Sequence, residues 1–264
     1  MNLKMLSKGN VLVIGDIILD RYISGSVDRV SPEAPVPVLK PSTEEIRLGG
    51  AANVALNLSS LGTKATLIGV TGKDHSSKQI KELLKQNNIK SSISQSKLPT
   101  ISKLRLLAAQ QQLIRIDNED EFSDDDWISS LSSYKKQIKL KKNKVLIISD
   151  YGKGTLKNIP FLIKEAKKLN KTILIDPKGE DFTKYKSANI ITPNFSEFQR
   201  VVGNIKNETD LTRKGKELIN SLKLDALLIT RGSEGMTLLE SLNGKVIRSD
   251  FPTEAKDVFD VSGA

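Results

Sequence analysis

The 264-residue chain has no cysteine. That excludes disulfides, thiolate metal sites and cysteine nucleophiles, and predicts a reducing compartment, the cytoplasm. It has one histidine, His75. A histidine-based metal centre or a Ser-His-Asp triad needs more than that; His75 follows Lys73-Asp74 and is expected on the surface. Aromatic residues are only 5% of the chain, too sparse for a platform that stacks nucleobases. No apolar run reaches membrane-spanning length, so no membrane partner is expected. Residues 1–10 have neither an apolar h-region nor a small-residue cleavage site, which predicts no signal peptide.

What is abundant is lysine. The formal net charge is +10, which raises nucleic acid as a partner. The lysines are scattered, however, and their densest cluster, residues 135–144, closes a helical pattern. A solvated helix face accounts for it, and nucleic acid is not expected. A basic surface does attract anionic substrates.

The order of elements predicts an α/β fold. Residues 11–15 are fully apolar up to Gly15 and predict a buried parallel strand. Further strands are expected at residues 65–70, 145–148, 172–175, 189–192 and 226–230. Helices are expected from Gly49-Gly50 to Leu61 and at 74–87, 124–140, 160–169, 195–202 and 210–222. A closing hairpin is expected over 236–240 and 245–249, around Asn243-Gly244. Strands separated by helices imply a mostly parallel sheet covered on both faces. Two regions break the alternation: the proline-rich residues 17–48, and residues 100–116, which alternate like an antiparallel hairpin. Both are assigned to a small β lid over the main sheet, in one domain spanning residues 1–264.

In open α/β sheets ligands bind beyond the carboxyl ends of the strands. The first strand ends in Gly15-Asp16, with Asp20 following; a carboxylate there can accept hydrogen bonds from sugar hydroxyls or simply cap a turn. Gly49-Gly-Ala-Ala-Asn53 places small residues and free N–H groups at a helix start, suited to close ligand approach or to tight packing. Four consecutive later strands end in polar turns: Ser149-Asp-Tyr-Gly-Lys-Gly154, Asp176-Pro-Lys-Gly179, Pro193-Asn-Phe-Ser-Glu197 and Arg231-Gly232. Their carboxylates, amides and cations suit a phosphate–Mg²⁺ ligand. No G-x-x-x-x-G-K-[ST] motif is present, which excludes a standard P-loop. Asp16, Asp150, Lys178, Asn194 and Arg231 should therefore share one edge of the sheet.

Taken in order, these motifs resemble the ribokinase (PfkB) family of carbohydrate kinases. Gly49-Gly-Ala-Ala-Asn-Val-Ala55 is similar to its first signature, Asn194-Phe-Ser-Glu197 to its N-x-x-E motif, and Asp260-Val-Ser-Gly-Ala264 to the start of its second signature, D-x-x-G-A-G-D. Gly15-Asp-Ile-Ile-Leu-Asp-Arg-Tyr22, Ser31-Pro-Glu-Ala-Pro-Val-Pro-Val38, Gln111-Gln-Leu-Ile-Arg115 and Ile175-Asp-Pro-Lys-Gly179 resemble the heptose 7-phosphate kinases within it. The resemblance implies a ribokinase-like fold and ATP-dependent phosphorylation, with Mg²⁺, of D-glycero-β-D-manno-heptose 7-phosphate at O1. It implies sugar contacts at Asp16, Gly49, Gly50 and Asn53. It implies ATP contacts at Lys178, Asn194, Phe195, Ser196, Glu197, Arg231 and Gly232, with Glu197 serving the metal. Arg21, Arg105 and Arg115 are the candidates for the sugar phosphate. A homodimer through the lid is also implied. Gly263 and Ala264 would begin the anion hole, and the general-base aspartate would follow two positions past Ala264. The 264 residues are thus expected to be an incomplete kinase domain without activity of their own. The competing expectations are a kinase for another phosphosugar and a non-catalytic sugar-phosphate binding module.

Overall fold

The computed structural model describes residues 9–109 and 111–253. The chain begins with β1 (Asn10–Gly15), then the long strands β2 (Ile17–Val30) and β3 (Pro37–Gly50). Helix α1 (Ala51–Ser60), β4 (Lys64–Thr71), α2 (His75–Gln86) and β5 (Lys90–Gln95) follow, then the hairpin β6 (Ser102–Ala108) and β7 (Gln111–Asn118). Regular alternation takes over with α3 (Asp124–Ile138), β8 (Val145–Ser149), α4 (Ile159–Lys168), β9 (Thr172–Asp176) and β10 (Ile190–Ile191). The described chain closes with α5 (Phe195–Val202), α6 (Glu208–Leu222), β11 (Ala226–Thr230), β12 (Met236–Leu242) and β13 (Lys245–Phe251).

The main sheet has nine strands in the order β13-β12-β11-β10-β9-β8-β1-β4-β5. Every neighbouring pair from β11 to β5 is parallel; the β11–β12–β13 edge is antiparallel. A parallel strand needs both faces covered, and β1 shows how its sequence meets that need. Leu12 and Ile14 pack into one core, and Val11 and Val13 into another. The first core lies under α3, α4 and α6, with Tyr134, Leu162 and Ile219 buried in it. The second contains the Ala51, Ala52 and Ala55 face of α1 and Ile80 and Leu84 of α2.

The lid is a second sheet of four strands in the order β3-β2-β6-β7. Its two hairpins are antiparallel and join through the parallel pair β2–β6. Lid and main sheet meet at Gly50. That residue pairs with Ile17, and the next N–H, of Ala51, donates to the Asp16 carbonyl at 2.9 Å. Gly50 has φ +55°, and a Cβ there would lie 2.3 Å from the Asp16 carbonyl oxygen, so only glycine fits.

The predicted architecture is observed: a large, mostly parallel sheet flanked by helices, with a small β lid. One strand was not anticipated. The segment Lys90-Ser-Ser-Ile-Ser-Gln95 is almost wholly polar, yet it pairs with β4 as β5. As the sheet's edge it meets core on few positions, so no apolar pattern marks it. The first helix also starts later than expected. Gly49 and Gly50 end β3, and Gly50 is the N-cap of α1.

Candidate active site

β1 is the strand at which the order reverses. The chain first builds outward through β4 to β5, then returns to β8 on the other side of β1 and continues toward β13. Such a switch point leaves a crevice at the carboxyl ends of the strands. A cavity of about 690 Å³ lies there, lined by residues of the lid, of α1, of the turns after β8, β9 and β10 and of the end of β11.

The lid end of the cavity contains Asp20, Gly49, Gly50, Asn53, Lys103 and Arg105. Arg105 Nη1 donates to Asp20 Oδ1 at 2.6 Å, and only 10% of the Arg105 side chain and 16% of the Asp20 side chain are exposed. The Arg105 guanidinium lies 5.1 Å from the centre of the Tyr22 ring, and Arg47 stacks over the same ring at 4.6 Å. Gly49 makes room for this pair: a Cβ there would fall 2.2 Å from Asp20 Oδ2. Lys103, from the neighbouring lid strand, pairs with Asp117 at 3.5 Å. Of the three arginines considered for the sugar phosphate, Arg105 alone lines the cavity. Arg21 pairs with Glu44, and Arg115 with Asp117.

Asp16 is not at the cavity surface, contrary to the sequence reading. It is fully buried. Its carboxylate accepts the backbone N–H groups of Tyr151 (2.8 Å), Lys153 (3.2 Å) and Thr155 (3.2 Å). Burial pushes its carboxyl above the usual range, and these N–H groups pull the other way. Asp16 therefore shapes the site indirectly, by holding the turn after β8. Asp20 occupies the position expected of Asp16. Period-two alternation marked it: Ile18, Asp20 and Tyr22 lie on one face of β2 and all line the cavity.

The turn after β8 presents Asp150 and Tyr151 to the cavity. Asp150 Oδ2 accepts from Tyr185 Oη and from Lys184 Nζ, both at 2.7 Å, and Oδ1 accepts from its own turn at Gly152 N–H. Tyr185 Oη in turn accepts the Lys178 N–H at 2.8 Å, which fixes the turn after β9.

Asn194 and Glu197 form a capping box at the start of α5. Asn194 Oδ1 accepts the Glu197 N–H at 2.9 Å, and Glu197 Oε2 accepts the Asn194 N–H at 3.0 Å. The other Glu197 oxygen faces Lys178 Nζ at 3.4 Å. Asp176 joins them in the cavity lining. Its carboxyl is pushed up to about 6 by burial, then by the charge of Glu197, with Asp150 adding to it.

Among the described residues no group of three or more carboxylates, histidines or cysteines is placed to hold a metal. Mg²⁺ keeps several waters and phosphate oxygens and needs only one or two protein carboxylates. Glu197 and Asp176 are two such carboxylates in the cavity lining, and the charge of Glu197 adds to burial in raising Asp176, a repulsion that a cation would offset. The donor set thus fits a hydrated Mg²⁺ near Glu197 and Asp176.

Arg231 is placed differently from expectation. Its guanidinium is held by Glu208 and Glu234, lies 5.8 Å from the Phe195 ring centre, and does not line the cavity; the preceding Thr230 does. Phe195 is half-buried against the core, Ser196 is exposed, and Gly232 opens a single 3-10 turn beside them. Of the five residues expected at one edge, Asp150, Lys178 and Asn194 line the cavity; Asp16 lies beneath it and Arg231 beside it. Asp260, Gly263 and Ala264 lie outside the described residues.

The family model for pfkB family carbohydrate kinases matches residues 8–264. The chain is 47% identical over 260 residues to the bifunctional protein HldE of Histophilus somni (strain 129Pt), covering 98% of this chain and 54% of that protein. It is 46% identical over 255 residues to the protein of the same name from Pseudomonas aeruginosa (strain UCBPP-PA14), covering 96% and 52%. The chain thus spans about half the length of these curated relatives. Among solved structures, Escherichia coli phosphofructokinase-2 in complex with substrates and products superposes with a TM-score of 0.78 at 19% identity, covering 94% of this chain and 80% of that one. Arabidopsis thaliana ribokinase complexed with ribose and ATP gives 0.70 at 18% identity, covering 97% and 81%. At such identities these structures speak for the fold, which is ribokinase-like. With its signatures, its cavity and the extent of these matches, the chain belongs to the pfkB family of carbohydrate kinases.

Proposed function

We propose that these residues are the kinase part of a protein that transfers the γ-phosphoryl group of ATP to O1 of D-glycero-β-D-manno-heptose 7-phosphate. The product is the 1,7-bisphosphate, a precursor of the ADP-heptose of lipopolysaccharide core. The observation that carries the reading is the polarity of the cavity at the switch point. Its lid end joins the hydroxyl-accepting Asp20 to Arg105 and Lys103, cations suited to a phosphate on the sugar. Its other end joins Lys178, Asn194, Glu197 and Asp176, suited to nucleotide phosphates and their metal.

In this reading Asp20, Gly49, Gly50 and Asn53 orient the sugar. Lys178 meets the transferring phosphate, while Asn194, Phe195, Ser196, Glu197 and the turn at Arg231-Gly232 border the nucleotide. Bound Mg²⁺, near Glu197, supplies neutralising charge to the phosphates. Sugar O1 attacks the γ-phosphorus, the bond from that phosphorus to the bridging oxygen breaks, and ADP leaves. The proton of O1 goes to the aspartate that the second signature calls for two positions past Ala264. Gly263 and Ala264 contribute to the anion hole. The exposed Ile114 and Ile116 pair with Leu106 and Leu104 across the β6–β7 hairpin, and this lid face is the one proposed for a homodimer contact; the compartment proposed is the cytoplasm. No described helix is long and apolar enough to cross a membrane.

The test is ADP release by a polypeptide carrying the second signature in full, with heptose 7-phosphate, unphosphorylated heptose and fructose 6-phosphate as alternative acceptors. The proposal requires the highest kcat/KM with heptose 7-phosphate. A preference for fructose 6-phosphate would instead assign the cavity to another phosphosugar.

A further inference from the structure

A second cavity, of about 710 Å³, lies away from the catalytic one. Its walls are α4, the 3-10 turn at 183–185 with the two residues after it, and Lys223, the C-cap of α6. Six of its ten lining residues are lysines: 164, 167, 168, 184, 186 and 223. None is a carboxylate. Lysine and arginine together are only 41 of the 264 residues, so the general basic bias of the chain does not explain this concentration.

Structural compensation explains only part of it. Lys168 pairs with Glu165, and Lys184 with Asp150. Among the described residues Lys164, Lys167, Lys186 and Lys223 make no ion pair. Two helix C-termini, those of α4 and α6, meet the cavity, and each carries roughly half a negative charge. They offset about one of the four remaining positive charges, leaving about three on the side chains that line it. Like charges so gathered repel, and an anion bound between them is the direct way to relieve the repulsion. The site is concave and its donors are flexible ammonium groups, which act as point charges without demanding bidentate geometry. Thr183 and Ser187 add hydroxyl groups to the lining. These features suit a compact anion bearing several phosphate groups better than an extended surface.

The cavity is also wired to the catalytic one. Lys184 lines it, yet its ammonium lies 2.7 Å from Asp150 Oδ2, and Asp150 lines the catalytic cavity. The Lys184 side chain is 38% exposed, against 3% for Asp150, so the ammonium is the partner that an outside anion can reach. An anion among the lysines and the Asp150 carboxylate therefore compete for one cation. When the anion wins, Asp150 loses a neutralising partner at the edge of the phosphate-binding region, and nucleotide phosphates are repelled.

We propose that this lysine-lined cavity is a second anion site, for a small ligand bearing several phosphate groups, and that its occupancy weakens ATP binding through Lys184 and Asp150. The coupling rests on the kinase reading above; the binding site does not, so the two are tested separately. The first test is calorimetric titration with tripolyphosphate of the unaltered chain and of a triple variant, Lys164→Gln, Lys167→Gln and Lys186→Gln. None of these residues touches the catalytic cavity. The unaltered chain should bind one more tripolyphosphate than the triple variant. The affinity at that extra site should fall as salt is raised, and Lys→Arg at the same three positions should retain it to within about tenfold. Equal stoichiometry in the unaltered chain and the Gln variant, with unchanged melting temperatures, would overturn the site. So would binding of the unaltered chain to vesicles of phosphatidylglycerol with no extra tripolyphosphate bound, which would make the lysines a membrane-facing patch. The second test is the ATP KM at fixed tripolyphosphate in a polypeptide with the complete second signature. The rise in KM should be larger in the unaltered protein than in the Gln variant. Equal rises would remove the coupling while leaving the binding site standing.

Discussion

Gly49→Ala separates binding from folding, and its effect follows from distances in the lid. The added Cβ would sit 2.2 Å from Asp20 Oδ2. Contact between nonbonded heavy atoms needs well over 3 Å, so the carboxylate must retreat by about 1 Å. It then surrenders the 2.6 Å bond from Arg105. A hydrogen bond to a charged group contributes about 1.5–3 kcal/mol. Both partners keep some solvent access, so rehydration reduces the loss to about 1 kcal/mol. Replacing glycine by alanine at an ordinary φ restores about 0.4–1 kcal/mol by restricting the unfolded chain, and Gly49 is not among the residues with positive φ. The two effects nearly cancel, and the melting temperature should move by no more than about 3 °C. Sugar binding has no such offset. Loss of a hydrogen bond from a sugar hydroxyl to a charged group costs about 1.5–3 kcal/mol, roughly 10- to 150-fold in affinity. Isothermal titration with heptose 7-phosphate reads the affinity without turnover. Gly15→Ala is the contrast: its Cβ would fall 2.1 Å from the Ser149 backbone carbonyl, in a paired strand that cannot yield. It should be destabilised by about 3 kcal/mol or more. If Gly49→Ala binds the sugar phosphate as tightly as the parent, at an unchanged melting temperature, Asp20 is not a sugar ligand.

Asp176 titrates near 6 in the folded chain against 3.8 for the free side chain. The folded state therefore holds its proton over a range where the unfolded state has lost it, and stability falls as pH rises from about 4 to 6. Asp176→Asn should flatten that slope and raise stability at pH 7.5 by at most about 3 kcal/mol, checked by denaturation at a series of pH values. Asn194→Ala should cost about 1 kcal/mol through the lost cap, read by urea denaturation. Ile114→Asp on the exposed lid face should shift sedimentation toward monomer without lowering the melting temperature.

Most of the architecture was legible because parallel strands with two covered faces are written as apolar runs. β1, β4, β8, β9 and β11 each occur where such a run was found, and the lid was marked by prolines and alternation. β5 was not legible, because an edge strand needs backbone pairing more than apolar side chains. The site was legible at the level of turns and less so at the level of side chains. Asp16 and Asp20 both follow β1, and both look suited to a hydroxyl. What separates them is the return of the chain 135 residues later, when Tyr151 N–H reaches Asp16 and closes it off. Nothing local to residues 15–22 encodes that contact. Arg231 shows the same limit. A cation at a strand end suits a phosphate, but Glu208, from the start of α6, claims its guanidinium.

The Asn194–Glu197 pair explains why some functional residues are legible and others are not. Asn-x-x-Glu before an apolar helix is a capping box by local chemistry alone, and the structure has that box. The box fixes one Glu197 oxygen on the Asn194 N–H and leaves the other facing Lys178 and the cavity. The same two residues thus end a loop, start a helix and aim a carboxylate with no further support from the chain. Where fold and site share one local motif, the sequence shows both together. Where a site residue depends on a distant segment, as Asp16 depends on the turn after β8, the motif shows the residue and hides its direction. Replacement of Glu197 by Gln tests the division: the amide oxygen still caps Asn194, so stability should stay within about 1 kcal/mol. The charge facing Lys178 and the nucleotide end is lost, so the Mg²⁺ dependence of nucleotide binding should weaken. If stability falls and that dependence does not, the carboxylate serves the helix alone.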